Sequence, residues 1–350
     1  MTLRLSRRHL LLASLLPLPA WALPPRTLQF PRDFGSHPEL RTEWWYITGQ
    51  ATAGQRMFGY QVTFFRSRVD ETQAMQSAFA AKQLVFAHAA ITDLAGGKLL
   101  HDQRIARAGM GVAEASESNT RVHLRDWWLE RKADVYSARI PANGFSLDLR
   151  FATTQPVLLQ GTAGLSRKGP EEVQASYYYS EPQLATSGRI TLHGQPFDVQ
   201  GKAWLDHEWS EAYMHPDVAG WDWIGMNLAD GSALMAFSMR LKKGGVLWAG
   251  GSFRTAGGSS RSFAPGEVAF EPLRTWKSAS SQASYPVEWK VRTPAGNFIV
   301  KALLDDQELD SRGSTGAIYW EGLSDLLDEE GKPVGRGYLE MTGYAAALRL

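Results

Sequence analysis

The sequence has no cysteine, which excludes disulfide bonds, thiolate metal sites and a cysteine nucleophile. Its charges almost cancel, because 37 lysine and arginine residues stand against 36 aspartate and glutamate residues, for a formal net charge of +1. That balance offers no electrostatic case for binding nucleic acid. Beyond the first residues, no apolar run approaches the roughly 20 residues that a membrane-spanning helix needs. The sequence therefore predicts a mature chain without stable membrane insertion.

Several motifs of catalysis and cofactor binding are also absent. The G-x-S-x-G elbow of serine esterases does not occur. His207-Glu208 opens like the zinc motif H-E-x-x-H, but position 211 is glutamate. Gly109 and Gly111 lack the third glycine of a dinucleotide-binding loop, and no P-loop is found. We expect no cofactor from these observations.

Residues 1–22 are typical of an export signal. Arg7 and Arg8 precede the uncharged apolar stretch 10–18, which is too short to span a bilayer. Ala20-Trp21-Ala22 supplies the small residues of a cleavage site. Adjacent arginines are characteristic of the twin-arginine export route, with an ordinary Sec signal as the alternative. The expected location of the mature chain is the periplasm.

Aromatic residues are abundant, with 13 tryptophans, 15 phenylalanines and 11 tyrosines, and 44% of all residues are hydrophobic. Such a composition supports a large aromatic core, or a cavity lined for an apolar, extended ligand. The composition alone leaves both interpretations open.

The dominant hydrophobic period is two, which predicts β-strands. Apolar residues alternate with small or polar ones along 58–64 and 145–151, and turn residues at 193–196 and 293–297 indicate hairpins. Only 71–84 has helical spacing, and it is equally consistent with an irregular insertion. We predict an all-β fold of short strands with frequent turns, as in barrels or sandwiches.

The two halves of the chain show a weak similarity. A tryptophan-rich strand near 43–49 and another near 221–228 are each followed by a predicted hairpin. Two similar barrels would produce this pattern. We predict an N-terminal domain over 23–212 and a C-terminal domain over 213–350.

The densest cluster of chemically active residues is 204–211, Trp-Leu-Asp-His-Glu-Trp-Ser-Glu, followed by His215 and by Trp221-Asp222-Trp223. A carboxyl group buried beside apolar rings has a raised pKa and can serve as a general acid. An adjacent histidine can relay or orient a proton, and aromatic faces stabilise a cation. The alternatives are a purely structural hydrogen-bonded cluster, and a metal site of Asp206, His207 and His215.

Two further clusters combine acids with aromatic residues. In Glu43-Trp44-Trp45-Tyr46, strand geometry places Glu43 and Trp45 on one face. In Tyr319-Trp320-Glu321, the tyrosine and the glutamate share a face. His88 lies in a run of small residues, where a hydrogen-bonded core histidine is the default interpretation.

Eight segments resemble the AttH/CrtC group of lipocalin-like proteins: 43–49, 58–66, 87–93, 177–180, 204–210, 220–223, 319–322 and 337–344. The matching segments run in order through nearly the whole mature chain. The resemblance implies two lipocalin-like antiparallel β-barrel domains packed together. The group includes carotenoid 1,2-hydratases, and its AttH-like members resemble accessory proteins of ABC permeases that handle a lipophilic molecule.

The resemblance to the hydratases is incomplete at the expected site. Their His-x-Trp pair is matched by His207 and Trp209, but their Tyr-x-Asp pair corresponds to 236–239, Ala-Phe-Ser-Met, which has neither residue. The leading hypothesis is therefore an exported protein that binds a lipid or isoprenoid, with an ABC permease as a candidate partner. The alternative is an acid–base hydratase or hydrolase of a lipophilic substrate.

The candidate site residues fall into two sets. The predicted catalytic residues are Asp206, His207, Glu208, Trp209 and Asp222. The predicted ligand-binding residues are Glu43, Trp45, Trp204, Trp221, Trp223, Tyr319 and Glu321.

Overall fold

The computed structural model describes residues 22–348, which form β-strands, turns and two short 3₁₀ segments, Arg32–Phe34 and Asp70–Thr72. No α-helix occurs among these residues. They also include no helix that is long and apolar enough to cross a membrane. The predicted signal, residues 1–22, falls outside the described residues except for Ala22.

Thirteen antiparallel strands form the first sheet, which is nearly closed into a barrel. They are β1 (Thr42–Ala53), β2 (Arg56–Arg68), β3 (Gln83–Asp93), β4 (Lys98–Arg107), β5 (Ala113–Ala115), β6 (Arg121–Leu124), β7 (Trp127–Lys132), β8 (Val135–Pro141), β9 (Phe145–Ala152), β10 (Leu158–Leu159), β11 (Leu165–Arg167), β12 (Ala175–Leu192) and β13 (Gln195–Ser210). Their order is β4-β3-β2-β1-β13-β12-β9-β8-β7-β6-β5, with β10 and β11 paired to β12.

Ten antiparallel strands form the second sheet. They are β14 (Val218–Leu228), β15 (Ala233–Leu241), β16 (Val246–Arg254), β17 (Ser260–Phe263), β18 (Ala269–Lys277), β19 (Ser284–Thr293), β20 (Gly296–Ala302), β21 (Glu308–Ser311), β22 (Ala317–Leu327) and β23 (Pro333–Met341). Their order is β17-β16-β15-β14-β23-β22-β20-β19-β18, with β21 paired to β22.

Alternating side chains explain why these segments fold as strands. Every second residue of β9, from Phe145 to Phe151, is buried in the first core, and the residues between them are more exposed. The hairpin predicted at 193–196 joins β12 to β13, with His193 and Gly194 at positive φ as a two-residue turn requires. The hairpin predicted at 293–297 joins β19 to β20. The all-β, lipocalin-like fold class is confirmed.

The two sheets meet face to face along part of their surfaces. Strands β1 and β2 of the first sheet contact β23 and β22 of the second, and β13 contacts β14. The strands of the first sheet end with β13 at Ser210, and those of the second begin with β14 at Val218. The predicted domain boundary between 212 and 213 falls in the connecting segment and stays a prediction.

The stretch 71–84, which has helical spacing, is an irregular connection between β2 and β3. Beyond the 3₁₀ turn at Asp70–Thr72 it contains turns, and its last two residues belong to β3. Met75 and Phe79 are exposed rather than buried. An isolated short helix needs an apolar face packed on the protein, and this segment has none.

Candidate ligand site between the two sheets

The cluster at 204–211 lies on β13, where alternation sends its side chains to two different environments. Asp206 and Glu208 line a cavity between the sheets. Leu205 and Trp209 belong to the core inside the first sheet, and His207 bonds to Glu43 there. The strand therefore divides a sequence cluster into a cavity face and a core face.

The cavity has a volume of about 250 Å³ and is bounded by both sheets. We call it the inter-sheet cavity. Its aromatic lining consists of Trp44, Tyr46, Phe65, Phe86, Tyr178, Tyr213, Trp221, Trp223 and Tyr319. Its polar and titratable lining includes Gln61, His88, Asp206, Glu208, Glu321 and Glu340. Glu43 and Arg66 also line it, and they form an ion pair with each other. This combination suits an apolar ligand that carries a small polar or charged group.

Asp206 accepts three hydrogen bonds at the cavity wall. Tyr178 Oη donates at 2.6 Å, Ser180 Oγ at 2.5 Å and Trp204 Nε1 at 2.7 Å. Burial nevertheless raises the pKa of Asp206 to about 7, because desolvation outweighs the three donors. This carboxyl group can therefore exchange a proton near neutral pH.

Glu321 and Glu340 lie directly opposite each other on β22 and β23. Glu321 Oε2 accepts from Gln61 Nε2 at 2.7 Å. Glu321 Oε1 and Tyr46 Oη are buried and make no hydrogen bond of good geometry among the described residues, although the nearby Tyr46 hydroxyl weakly lowers the pKa of Glu321. Trp221 Nε1 donates to Glu340 Oε2 at 3.1 Å. Burial, reinforced by the charge of Glu340, raises the pKa of Glu321 well above its usual value.

Burial likewise raises the pKa of Glu340 to about 7, with smaller contributions from Asp206 and Glu208. Two like charges facing each other across neighbouring strands repel, so the pair favours a state in which at least one carboxyl holds a proton. Within residues 22–348, no lysine or arginine forms an ion pair with Asp206, Glu321 or Glu340.

Glu208 differs from these three carboxyls because it has a cation of its own. Lys168 Nζ lies 2.8 Å from Glu208 Oε1, and the hydroxyl of Ser176 donates to the same oxygen. The lysine is buried, with Nζ 4.7 Å from the ring centre of Tyr178, 5.4 Å from Tyr213 and 4.4 Å from Phe237. Burial raises the pKa of Glu208, and the charge of Lys168 opposes that rise.

His207, on the other face of β13, is held in a closed network. Its Nε2 lies 3.0 Å from Glu43 Oε1 and its Nδ1 3.0 Å from Tyr179 Oη. Arg66 Nε donates to Glu43 Oε2 at 2.8 Å, and His37 Nδ1 lies 2.8 Å from Oε1. Burial lowers the pKa of His207 to about 4, although Glu43 opposes that shift.

The carboxylate of Glu43 remains ionised in this network. Burial alone would raise the pKa of Glu43, but hydrogen bonds from His207 and His37 and the charge of Arg66 hold it well below its usual value. Ligand atoms of His37, Glu43 and His207 lie within 4.8 Å of one another. The Arg66 guanidinium already supplies the positive charge there, so the three residues do not fit a metal site.

Known proteins identify the family to which this chain belongs. A family model described as AttH-like matches residues 21–344. This chain belongs to the AttH-like family. The resemblance to the AttH/CrtC group is thus confirmed. A search of curated proteins gives no match to this AttH-like protein.

Solved structures agree with the assignment. An AttH-like protein from Nitrosomonas europaea is 49% identical, with a TM-score of 0.86 over 92% of this chain and 99% of that one. Kievitone hydratase from Nectria haematococca is 15% identical, with a TM-score of 0.72 over 91% and 94% of the two chains. CghA with Sch210972 is 13% identical, with a TM-score of 0.52 over 87% and 89%. The last two similarities establish the fold alone.

The predicted residues of this AttH-like protein are distributed over three places. Those that line the inter-sheet cavity are Asp206, Glu208, Trp221, Trp223, Tyr319 and Glu321, and Trp204 packs behind them as a donor to Asp206. Those in the core network of the first sheet are His207, Trp209, Trp45 and Glu43. Glu43 also lines the cavity, but its carboxylate bonds to His37 and His207.

Asp222, the remaining predicted catalytic residue, lies away from the cavity. Tyr344 Oη donates to Asp222 Oδ1 at 2.9 Å, and Arg240 Nε lies 3.0 Å from Oδ2. Burial raises the pKa of Asp222 to about 6, although Arg240 and Tyr344 oppose the rise. His215 lies on the loop before β14, 3.9 Å from Glu171, so the alternative metal set of Asp206, His207 and His215 is not assembled.

Sequence reasoning missed several residues of the cavity. Glu340 and Tyr178 occur in segments that carried the family resemblance, and strand alternation would have placed Glu340 on the face opposite Leu339, which lies in the second core. Lys168 lies in the irregular segment after β11, and no spacing pattern marks it. His88 is confirmed as hydrogen-bonded, 2.9 Å from Tyr319 Oη and 2.8 Å from Ser314 Oγ.

Proposed function

We propose that this protein binds a lipophilic small molecule in the inter-sheet cavity. The observation that carries the proposal is the lining itself: nine aromatic residues enclose about 250 Å³ between two sheets that are each packed internally. A barrel interior filled by side chains leaves no room for a ligand, whereas this aromatic-lined cavity at the junction of the sheets can hold an apolar molecule.

Filling the cavity tests this proposal. Ala317 lines it from β22, and Ala317→Phe places a phenyl ring in the space that the ligand would occupy. We expect the neutral fluorescent probe N-phenyl-1-naphthylamine to bind the unaltered protein and to lose that binding in the variant. Ala279→Phe, at an exposed turn, is the matched control. Equal probe binding by both variants would contradict the proposal, and native mass spectrometry of freshly purified protein would show any co-purified ligand.

A second candidate function is acid–base addition of water to an unsaturated lipophilic substrate. The specific observation in its favour is the facing pair Glu321 and Glu340, in which one carboxyl can hold a proton while the other is ionised. The protonated group would donate its proton to one carbon of the double bond. The ionised group would accept a proton from the water that adds to the other carbon.

This second candidate predicts turnover that depends on both carboxyls. Incubation of an acyclic isoprenoid in ¹⁸O-labelled water should yield an alcohol that carries the label, detected by mass spectrometry. Glu321→Gln and Glu340→Gln should each abolish it, while Glu211→Gln, at a partly exposed ion pair with Arg68, should retain it. Binding of the isoprenoid without any labelled product would leave the binding function alone.

Export, periplasmic location and an ABC permease partner are further parts of the proposal. They rest on the arginine pair Arg7 and Arg8, on the cleavage-like sequence before Ala22, and on the family resemblance. Fractionation of cells that produce the full chain with a C-terminal tag tests location. Accumulation of uncleaved protein in the cytoplasm would contradict export.

A further inference from the structure

Three carboxyl groups of the inter-sheet cavity have no positive partner of their own. Asp206 is bonded by a tyrosine, a serine and a tryptophan, Glu321 by an amide, and Glu340 by an indole. No Lys or Arg between residues 22 and 348 forms an ion pair with any of the three. Buried carboxylates are normally paired with a cation or neutralised by a proton.

The absence of a positive partner matters most for Glu321 and Glu340. The two face each other across adjacent strands, where like charges are destabilising. Glu321 is 2% exposed and its Oε1 has no partner in the part of the chain that the structure describes. The Tyr46 hydroxyl faces Glu321 and weakly lowers the pKa of that carboxyl, but no hydrogen bond of good geometry joins the two, and Glu340 and Asp206 also lie near this hydroxyl. These polar atoms converge on one region of the cavity.

One ammonium group of the protein, that of Lys168, already lies beside this cavity. Lys168 Nζ contacts the carboxylate of Glu208 and lies over the rings of Tyr178, Tyr213 and Phe237. Tyr178 and Tyr213 line the cavity together with Trp44 and Trp223. An ammonium group set between a carboxylate and aromatic faces is therefore a mode of binding that this chain uses internally.

We propose that the inter-sheet cavity accepts a lipophilic organic cation, a tertiary or quaternary ammonium compound, with its positive charge between Glu321, Glu340 and Asp206. This inference rests on the proposed binding function and names its ligand class. The charge of the ligand offsets the repulsion between the two glutamates, and its apolar part packs on the tryptophans.

Binding of a cation is coupled to loss of protons. Burial raises the pKa of Asp206 and Glu340 to about 7 and that of Glu321 well above its usual value, so the free cavity holds protons at neutral pH. A cation placed beside these groups lowers their pKa and releases protons. His88 does not supply these protons, because burial lowers its pKa to about 3. Glu208 is paired with Lys168, and Glu43, whose pKa is held well below its usual value, is paired with Arg66.

The test uses two molecules of equal shape, phenyltrimethylammonium and tert-butylbenzene, which differ by one positive charge. The affinity of each is to be measured by its displacement of N-phenyl-1-naphthylamine from the unaltered protein at pH 7. We expect the ammonium compound to bind on the order of tenfold more tightly than the hydrocarbon. Calorimetry in two buffers of different ionisation enthalpy should show proton release with the ammonium compound only.

The double variant Glu321→Gln and Glu340→Gln keeps the shape of both side chains. It should lose most of the preference for the ammonium compound and most of the proton release, keeping only the part that Asp206 supplies, while tert-butylbenzene still binds, which shows that the cavity is intact. Equal affinity for both compounds in the unaltered protein would overturn the inference and leave the binding function standing. Failure of the naphthylamine probe itself to bind would overturn both.

Discussion

Replacing Glu43 by alanine should lower the free energy of unfolding by about 3–5 kcal/mol, the range found when one partner is removed from a buried ion pair. The carboxylate is fully buried and bonds to Arg66, His37 and His207 at 2.8, 2.8 and 3.0 Å. Without it, the guanidinium remains buried with no counter-ion. Urea unfolding at pH 7, followed by tryptophan fluorescence, measures the loss.

Glu211→Ala is the control for this prediction. Glu211 pairs with Arg68 at 2.8 Å, but the two side chains are 27% and 18% exposed. A partly exposed pair contributes about 1 kcal/mol or less. If Glu43→Ala were as mild as Glu211→Ala, the network around His207 would not be a stabilising element, and a role for His207 outside folding would need to be reconsidered.

Glu340→Gln should make the protein more stable than the unaltered chain at pH 8, and the gain should shrink on acidification. Burial raises the pKa of Glu340 to about 7, against an ordinary value near 4.5, so the folded state binds a proton that the unfolded state has released. Stability contributed by this proton is complete below about pH 4.5 and is lost as the pH rises to about 7. The glutamine does not titrate, so the variant escapes that loss.

The size of the effect follows from the shift, since one pKa unit corresponds to about 1.4 kcal/mol. The difference in unfolding free energy between variant and unaltered protein should grow by up to about 3 kcal/mol from pH 4.5 to pH 7. Taking the difference removes the opposite pH dependence of His207 and Glu43, which both proteins share. Glu330→Gln, at an exposed turn, should show no such growth. A flat difference for Glu340→Gln would mean that this carboxyl is ionised at neutral pH.

Strand alternation made the fold predictable from the sequence. The period of two, the turn residues and the tryptophan-rich strands led to the all-β fold and to both hairpins, because a half-buried strand imposes its pattern locally. The shared face of Glu43 and Trp45 was correct for the same reason, and so was that of Tyr319 and Glu321. Of the two interpretations of 71–84, a helix or an irregular insertion, the structure shows the insertion, because helical periodicity without a packing partner does not make a helix.

The site was less predictable because it depends on which distant strands meet. Asp206, His207 and Glu208 are consecutive, and sequence analysis treated them as one cluster. The strand places His207 opposite Trp45, inside the first sheet, and Asp206 opposite Tyr46, towards the second sheet. The partners that decide the chemistry, Glu321 and Glu340, come from more than 100 residues further along the chain. No local pattern specifies such a meeting.

The structure shows where the residues compared with the carotenoid hydratases lie. In this chain the stretch 236–239 lies on β15, and Phe237 packs against the ammonium group of Lys168. The matched pair His207 and Trp209 lies in the core network of the first sheet, with a ring separation of 4.7 Å. The cavity is lined instead by the carboxyls Asp206, Glu208, Glu321 and Glu340, besides His88 and the ion pair of Glu43 with Arg66. Any chemistry at this site would use those carboxyls.

Burial in the inter-sheet cavity raises the pKa of Asp206 and Glu340 to about 7 and that of Glu321 well above its usual value, and no lysine or arginine among residues 22–348 forms an ion pair with these three carboxyls. Carbon-13 NMR titration of glutamate side-chain carboxyls, assigned through Glu321→Gln and Glu340→Gln, measures this directly. We predict that the Glu340 resonance titrates near pH 7 and the Glu321 resonance well above its ordinary value in the free protein, and that both shift to lower pH with phenyltrimethylammonium bound. Titration of both near pH 4.5, unchanged by the ammonium compound, would contradict the account.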